Sequence, residues 1–385
     1  MIVYVSTQGA KIIKEGRHLL VKKDGDTYHT LFTYKLEQLV VCGRVEITAP
    51  ALAFLLKEQI DTVFLRSDGR YLGRFALMES KNAFLRQQQF IRAADPDFCC
   101  ALARQILRGK LRNMLTLLQR IRRTRKTPKL DAPIRQLHDN LDKLEAADTI
   151  ASLMGLEGSS AAAYFSGFRL GLDQDYGFNR RVRRPPTDPV NSVLSLLYTL
   201  LINRTYAAVR LAGLDPQPGV LHSMDYGRHA LPLDLVEEFR AILADSLTLS
   251  LFNLRSLQQQ DFRTDEPEPE APQDTDEAVD DLDRVIHDPL GRISNSDAEG
   301  MFDLPTQNII KEPDLAANAA KYPVRLTSAA FKKVLTAFEK KLQTEFFHPL
   351  AERRMTYADA LVDQARQFRR VISGEITDYH PLLLK

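Results

Sequence analysis

Cysteine is scarce in this 385-residue chain: there are three, Cys42, Cys99 and Cys100. The last two are adjacent and cannot readily bridge each other, and no CxxC spacing offers a zinc site. That excludes a disulfide framework and a structural zinc, and the thiols read as buried groups in a reducing cytoplasm. No apolar run reaches membrane-spanning length without charge, so no membrane partner is expected. The opening MIVYVSTQGAKIIKEG has no long apolar core and no cleavage-site pattern, and reads as a first strand rather than a signal peptide. Internal repeats are absent as well. At this length one small core is not enough, and two domains are expected.

Acid is missing from one stretch and crowded into another. Residues 98–130 hold ten Lys or Arg and no Asp or Glu. Residues 261–303 hold fifteen acids against three Arg, a net of −12, so the remainder carries +14 although the whole chain is only +2. A basic body with one acidic segment suits a polyanion-binding protein, and nucleic acid is the leading partner.

Hydrophobic periodicity divides the chain. Across 1–76, short runs such as IVYV, KIIKE, HLLVKK and DTVFLRS are rich in β-branched and aromatic residues and are separated by Gly, Asp and Ser turns. One helical pattern interrupts them, with Thr48 as its cap and Leu52, Leu55, Leu56 and Ile60 as its apolar stripe. Residues 77–97 read as a linker and first helix. From 98 to 385 the period is helical, with Leu107, Leu111, Met114, Leu118 and Ile121 on one face and Arg104, Arg108 and Arg112 on another. Further helices are expected at 133–154, 156–170, 189–212, 232–250, 326–346 and 357–373. The 189–212 segment opens on Asp188-Pro189, closes at Gly213 and is apolar on nearly every face, so it reads as a central buried helix. The expected class is α+β: a small N-terminal β-rich domain with one packed helix, then a larger all-α domain. Its acidic, proline-broken stretch at about 264–320 reads as a flexible insertion.

Three groups of residues carry candidate chemistry. In GVLHSMDYGRHALPLDLVEEFR, His222 precedes Asp234 and Glu237, which share one helical face three positions apart. Acids near a helix N-terminus also suit the helix dipole, and a loop histidine can be purely structural. In LMGLEGSSAAAYFSGF, Glu157 sits among small and apolar residues, where it is either a solvated cap or a carboxylate awaiting a cation. If Glu157, His222 and Glu237 converge, two carboxylates and one imidazole suit Mg²⁺ or Mn²⁺ better than a structural zinc. In FNRRVRRPPTDPVN, Arg180, Arg181, Arg183 and Arg184 precede the buried helix and are suited to gripping phosphates bidentately. The basic face bearing Arg104 and Arg108 adds a second cationic surface.

Taken in order, GLEGSSAAAYF, RVRRPPTDPVNSVLSLLYTLL, GVLHSMDYGRHALPLDLVEEFR and YPVRLTSAAFKKVLTAFEKKL resemble the CRISPR-associated spacer-acquisition integrase family across nearly the whole chain. The resemblance implies metal ligands at Glu157, His222 and Glu237, which are also the expected catalytic residues, with Asp234 supporting them and Arg240 contacting phosphate. It also implies transesterification, in which the 3′-hydroxyl of a captured DNA fragment attacks a phosphodiester at the CRISPR repeat. A homodimer with a small ferredoxin-fold adaptation partner is implied too, and activity is expected to fall at acid pH as His222 protonates. The acidic insertion is longer than the family pattern, and Asp225 stands where some members carry a basic residue. Two rival readings are a non-catalytic DNA-binding scaffold and a general metal-dependent DNA nuclease.

Overall fold

A computed structural model describes residues 2–67, 69–75, 82–182, 185–225, 227–264, 323–348 and 351–384. The chain forms two compact units, Met1–Lys81 and Asn82–Lys385. Arg183, Arg184 and nearly all of the acidic stretch at 264–320 lie outside the described residues.

Among its described residues the first unit holds eight strands: Ile2–Val5 (β1), Lys11–Glu15 (β2), His18–Lys23 (β3), Asp26–Phe32 (β4), Gln38–Cys42 (β5), Glu46–Ile47 (β6), Asp61–Leu65 (β7) and Tyr71–Arg74 (β8). They make two four-stranded sheets, β1-β5-β7-β8 and β4-β3-β2-β6. β5, QLVVC, is buried at every position and pairs in parallel with both β1 and β7, as a continuous apolar run should. The helix Ala49–Lys57 (α1) buries Ala51 and Leu55, which join Ile12, Leu19, Leu39 and Ile60 in one core. Thr48 stands at its N-cap position, yet its hydroxyl makes no cap and donates to the Ile12 carbonyl at 3.3 Å. The helix is thereby tied to β2, and Pro50, which lacks an N–H, lightens the need for a cap.

The second unit is mostly helical. Ala83–Ala93 (α2), Pro96–Arg125 (α3), Asp131–Leu144 (α4), Ile150–Phe168 (α5), Pro189–Leu211 (α6), Ala230–Phe239 (α7), Ser246–Asn253 (α8), Ser328–Leu342 (α9) and Tyr357–Ile372 (α10) follow in order. The expected Asp188 cap forms: its side chain accepts from Asn191 N at 2.8 Å, and Gly213, at φ +81°, follows the far end. α6 is long and apolar enough to cross a membrane, but 67% of its apolar window is buried inside this unit, as befits a core helix. Sequence reading broke the chain near Gly155; the break comes earlier, where Thr149 accepts from Ser152 N at 3.1 Å and starts α5. Gly155 and Gly158 therefore lie inside a helix, and helix–helix packing overrides their weak propensity.

The all-α expectation for this unit needs correction. Phe262–Thr264 (β9) pairs antiparallel with Val324–Leu326 (β10), and Glu345–His348 (β11) with Arg353–Thr356 (β12). The helix expected to reach 346 stops at Leu342, because Phe346 stacks on Tyr357 at 4.5 Å from within a strand. The β9–β10 pair also sets Thr264 opposite Val324, so the chain leaves and re-enters around the acidic stretch side by side.

After α10 the chain is laced onto α3 and α7. The Glu238 carboxylate accepts from Tyr379 Oη at 2.5 Å, Leu382 N at 2.5 Å and Gln364 Nε2 at 3.0 Å. Asn113 Nδ2 donates to the carbonyls of Glu238 and Leu382 and accepts from Leu384 N through Oδ1. Pro381 passes directly over Gly109, where a Cβ would lie 2.4 Å from the proline Cβ. Burial pushes the Glu238 carboxyl from its ordinary 4.5 up to about 7, although Tyr379, Leu382 and Gln364 all favour its charge. The folded state thus keeps a proton that the unfolded chain releases above pH 4.5. Its stabilising effect is full below that pH and fades as pH climbs through about 7. Wild-type protein should accordingly lose stability relative to Glu238→Gln between about pH 4.5 and about pH 7, by up to about 1.4 kcal/mol per pH unit in that window. Urea denaturation of both proteins reads the difference, and a relative gain by wild type toward pH 8 would contradict it.

Candidate functional site

Asp234, in the second turn of α7, is completely buried. An isolated carboxylate is costly there, and the preceding loop resolves the cost by wrapping it in donors. Oδ2 accepts from Val220 N at 2.6 Å and Leu221 N at 3.1 Å; Oδ1 accepts from His222 N at 2.9 Å and from the ring Nδ1 of His222 at 2.6 Å. Gly219 permits the close approach, since a Cβ there would sit 2.6 Å from Asp234 Oδ2 and 2.8 Å from Ala230 Cβ. With Nδ1–H donated to Asp234, a neutral His222 presents the lone pair of Nε2 to any ligand.

One helical turn after Asp234 comes Glu237, also buried. Its Oε1 lies 3.3 Å from Arg240 Nη2 and its Oε2 lies 2.6 Å from Lys110 Nζ. That second contact is a close, buried ion pair with the ammonium. The same Lys110 Nζ lies 2.5 Å from Glu157 Oε1 on α5. Three helices, α3, α5 and α7, therefore bring two carboxylates onto one ammonium that is only 3% exposed. Burial alone would raise Glu237, but the neighbouring cations, Arg240 and then Lys110, outweigh it and carry the carboxyl down to about 2. Glu237 stays ionised at any working pH.

A second polar layer lies behind this one. The chain from α7 to α8 runs through a π-helical turn, Arg240–Asp245, a distortion frequent at functional sites. Asp245 accepts from Tyr164 Oη and Tyr198 Oη, each at 2.7 Å. The guanidinium groups of Arg240 and Arg181 lie over the Tyr198 ring, 4.9 and 5.2 Å from its centroid. Burial raises the Asp245 carboxyl to about 6 against the pull of both phenols and both arginines.

The residues singled out from sequence are placed as follows. Glu157 and Glu237 meet at Lys110, and Asp234, one helical turn before Glu237, bonds His222. Among the described residues, no three His, Cys, Asp or Glu side chains stand ready as a metal-binding group; the cation between the two glutamates is the lysine's own. Arg240 is buried against Glu237 and Tyr198. Arg181 is turned inward to the Val182 carbonyl, Asn191 Oδ1 and Ser195 Oγ. Arg104 donates to the Ala147 carbonyl at 2.8 Å, and Arg108 pairs with Gln105 and Glu145. Arg180 is exposed, as are Arg112 and Arg123 on α3. Lys110 went unread in the sequence, although it falls between Leu107, Leu111 and Met114 on the apolar face of α3, where a lysine is rare unless paired.

Comparison with known proteins adds the family. Residues 3–271 match the family described as CRISPR associated protein Cas1. The chain is 32% identical to CRISPR-associated endonuclease Cas1 3 of Thermus thermophilus, over 100% of its own length and 97% of the relative's. A casposase bound to an integration product shares the fold with a TM-score of 0.76 at 17% identity, over 98% of this chain and 92% of that one. A chain of a Cas6-RT-Cas1–Cas2 complex does so with a TM-score of 0.77 at 24% identity, over 100% of this chain and 36% of that one. The strand-rich N-terminal part followed by a mostly helical one agrees with the expected α+β division. On the strength of the sequence matches, the chain belongs to the Cas1 family of CRISPR-associated proteins.

Proposed function

We propose that this protein is a divalent-metal-dependent DNA integrase and endonuclease of CRISPR adaptation, joining the 3′-hydroxyl ends of captured fragments to the CRISPR repeat. One observation carries the reading: two acids from different helices converge on a single buried cation position, beside a histidine whose Nε2 is set free by Asp234. Family membership, a full-length relative named as an endonuclease and a fold shared with a casposase on its integration product support DNA-strand chemistry.

The donor set suits a hard divalent ion. Glu237 Oε2 and Glu157 Oε1 face one point, held by the Lys110 ammonium, and His222 supplies one nitrogen, an oxygen-rich set appropriate to Mg²⁺ or Mn²⁺. Bound there, such an ion would polarise a phosphoryl oxygen and offset the charge that develops on it. The chain's own residues hold and orient. Asp234 keeps His222 in one tautomer, and Arg240, fixed over Tyr198, holds Glu237 ionised. The exposed Arg112, Arg123 and Arg180 offer cations to DNA phosphates. The substrate supplies the nucleophile: a new 3′-O–P bond forms, the old P–O3′ bond of the repeat strand breaks, and the released oxygen takes a proton. Water in place of the 3′-hydroxyl gives hydrolysis. A homodimer working in the cytoplasm with a small ferredoxin-fold partner completes the proposal. The Lys110 bridge, which already places a cation of the chain itself between the two glutamates, favours the alternative of a non-catalytic DNA scaffold.

Fragment insertion into a repeat-bearing plasmid separates the two. Glu157→Ala, His222→Ala and Glu237→Ala should each abolish Mn²⁺- or Mg²⁺-dependent insertion and keep duplex binding within about twofold, because phosphate contacts dominate affinity. Insertion that persists in all three variants, or that needs no divalent ion, would overturn the proposal. Asp234→Asn removes an acceptor from His222 Nδ1 and sets an amide N–H against the loop donors. It should slow insertion about 10- to 100-fold with far-UV circular dichroism unchanged. Unaltered insertion by the Asn variant would show that the imidazole needs no such support.

A further inference from the structure

Both oxygens of Glu237 are occupied by cations of this chain, and the two cations are not equally held. Arg240 meets Oε1 from a π-helical turn, with its guanidinium lying over Tyr198. Lys110 meets Oε2 at 2.6 Å and reaches Glu157 Oε1 at 2.5 Å with the same nitrogen. An ammonium on a four-carbon stem is a mobile point charge, whereas a stacked planar guanidinium is fixed. A divalent ion that bridged the two glutamates would bind their oxygens at about 2.1 Å, the very atoms the ammonium now contacts. Like charges at that range repel strongly in a buried site. The ion and the ammonium cannot share the position.

We infer that Lys110 is a resident counter-cation, and that divalent-ion binding at Glu157 and Glu237 is an exchange in which the lysine ammonium is displaced. The exchange explains how a buried Glu237 and a half-buried Glu157 face one point with the Lys110 ammonium between them. It also makes the affinity of the site depend on a residue that is not itself a ligand. Lys110 is thus a positioning residue: it keeps the acids converged until an ion arrives, and its grip sets how readily the ion enters. The inference rests on the proposed metal reading of the site.

The test is Mn²⁺ titration of the full chain, followed by the electron paramagnetic resonance signal of free Mn²⁺. Glu237→Ala defines the site as the Mn²⁺ equivalent it loses. Lys110→Met, with no ammonium to displace, should bind that equivalent at least about tenfold more tightly than wild type. Lys110→Arg, whose guanidinium grips carboxylates bidentately, should bind it at least about tenfold more weakly. Thermal unfolding in EDTA should place Lys110→Met below wild type, and Mn²⁺ should raise its midpoint by more than it raises the wild-type midpoint. Equal or weaker Mn²⁺ binding by Lys110→Met, or tighter binding by Lys110→Arg, would overturn the exchange while leaving the metal reading intact. Wild type and Glu237→Ala binding the same number of ions would instead overturn the metal reading, and the exchange with it.

Discussion

The carboxylate of Asp234 organises this site. It is fully buried, and four N–H groups close on it, three from the backbone of Val220, Leu221 and His222 and one from the His222 ring. A buried carboxylate left unpaired costs several kcal/mol, and these four donors meet that cost. The conformation of the Gly219–His222 loop, the direction of the imidazole and the packing of α7 against that loop all follow from meeting this one demand. Glu237 then falls one helical turn along the same face, so the histidine and the glutamate are set relative to each other by a rigid element.

Two neighbouring acids show how environment divides identical side chains. Glu237 and Glu238 are both fully buried on α7. Cations surround Glu237, and its carboxyl falls to about 2; Glu238 meets only neutral donors, and burial wins, lifting it to about 7. The first is thereby fitted to a charged site, the second to clasping the segment around Tyr379 and Leu382. Opposite directions along the helix surface separate chemistry from structure by a single position.

Much of this was legible in the sequence, for identifiable reasons. The strands of the first unit announced themselves by β-branched runs between turn residues, and α6 by its Asp-Pro start and apolar body. Local patterns carry that information. What escaped depends on non-local partners: the Thr48 hydroxyl prefers a carbonyl of β2, Thr149 starts a helix earlier than the glycines suggested, and the β11 strand is decided by Phe346 meeting Tyr357. At the site, His222, Asp234 and Glu237 stood out by their spacing and Glu157 by its apolar setting, and the family resemblance joined them into one set. Lys110 was not, because its role exists only once α3, α5 and α7 have packed together. Charge counts also misjudge single arginines: Arg181 adds to a basic segment, yet it is turned toward Tyr198.

The central claim is that Asp234 aims His222 Nε2 at the same point that Glu157 and Glu237 address. Anomalous X-ray diffraction from Mn²⁺-soaked crystals tests it most directly. The account predicts one anomalous peak bounded by Glu157, His222 Nε2 and Glu237, with Nδ1 still bonded to Asp234. A peak elsewhere with that position empty, or one bound through Nδ1 after the ring has left Asp234, would contradict it.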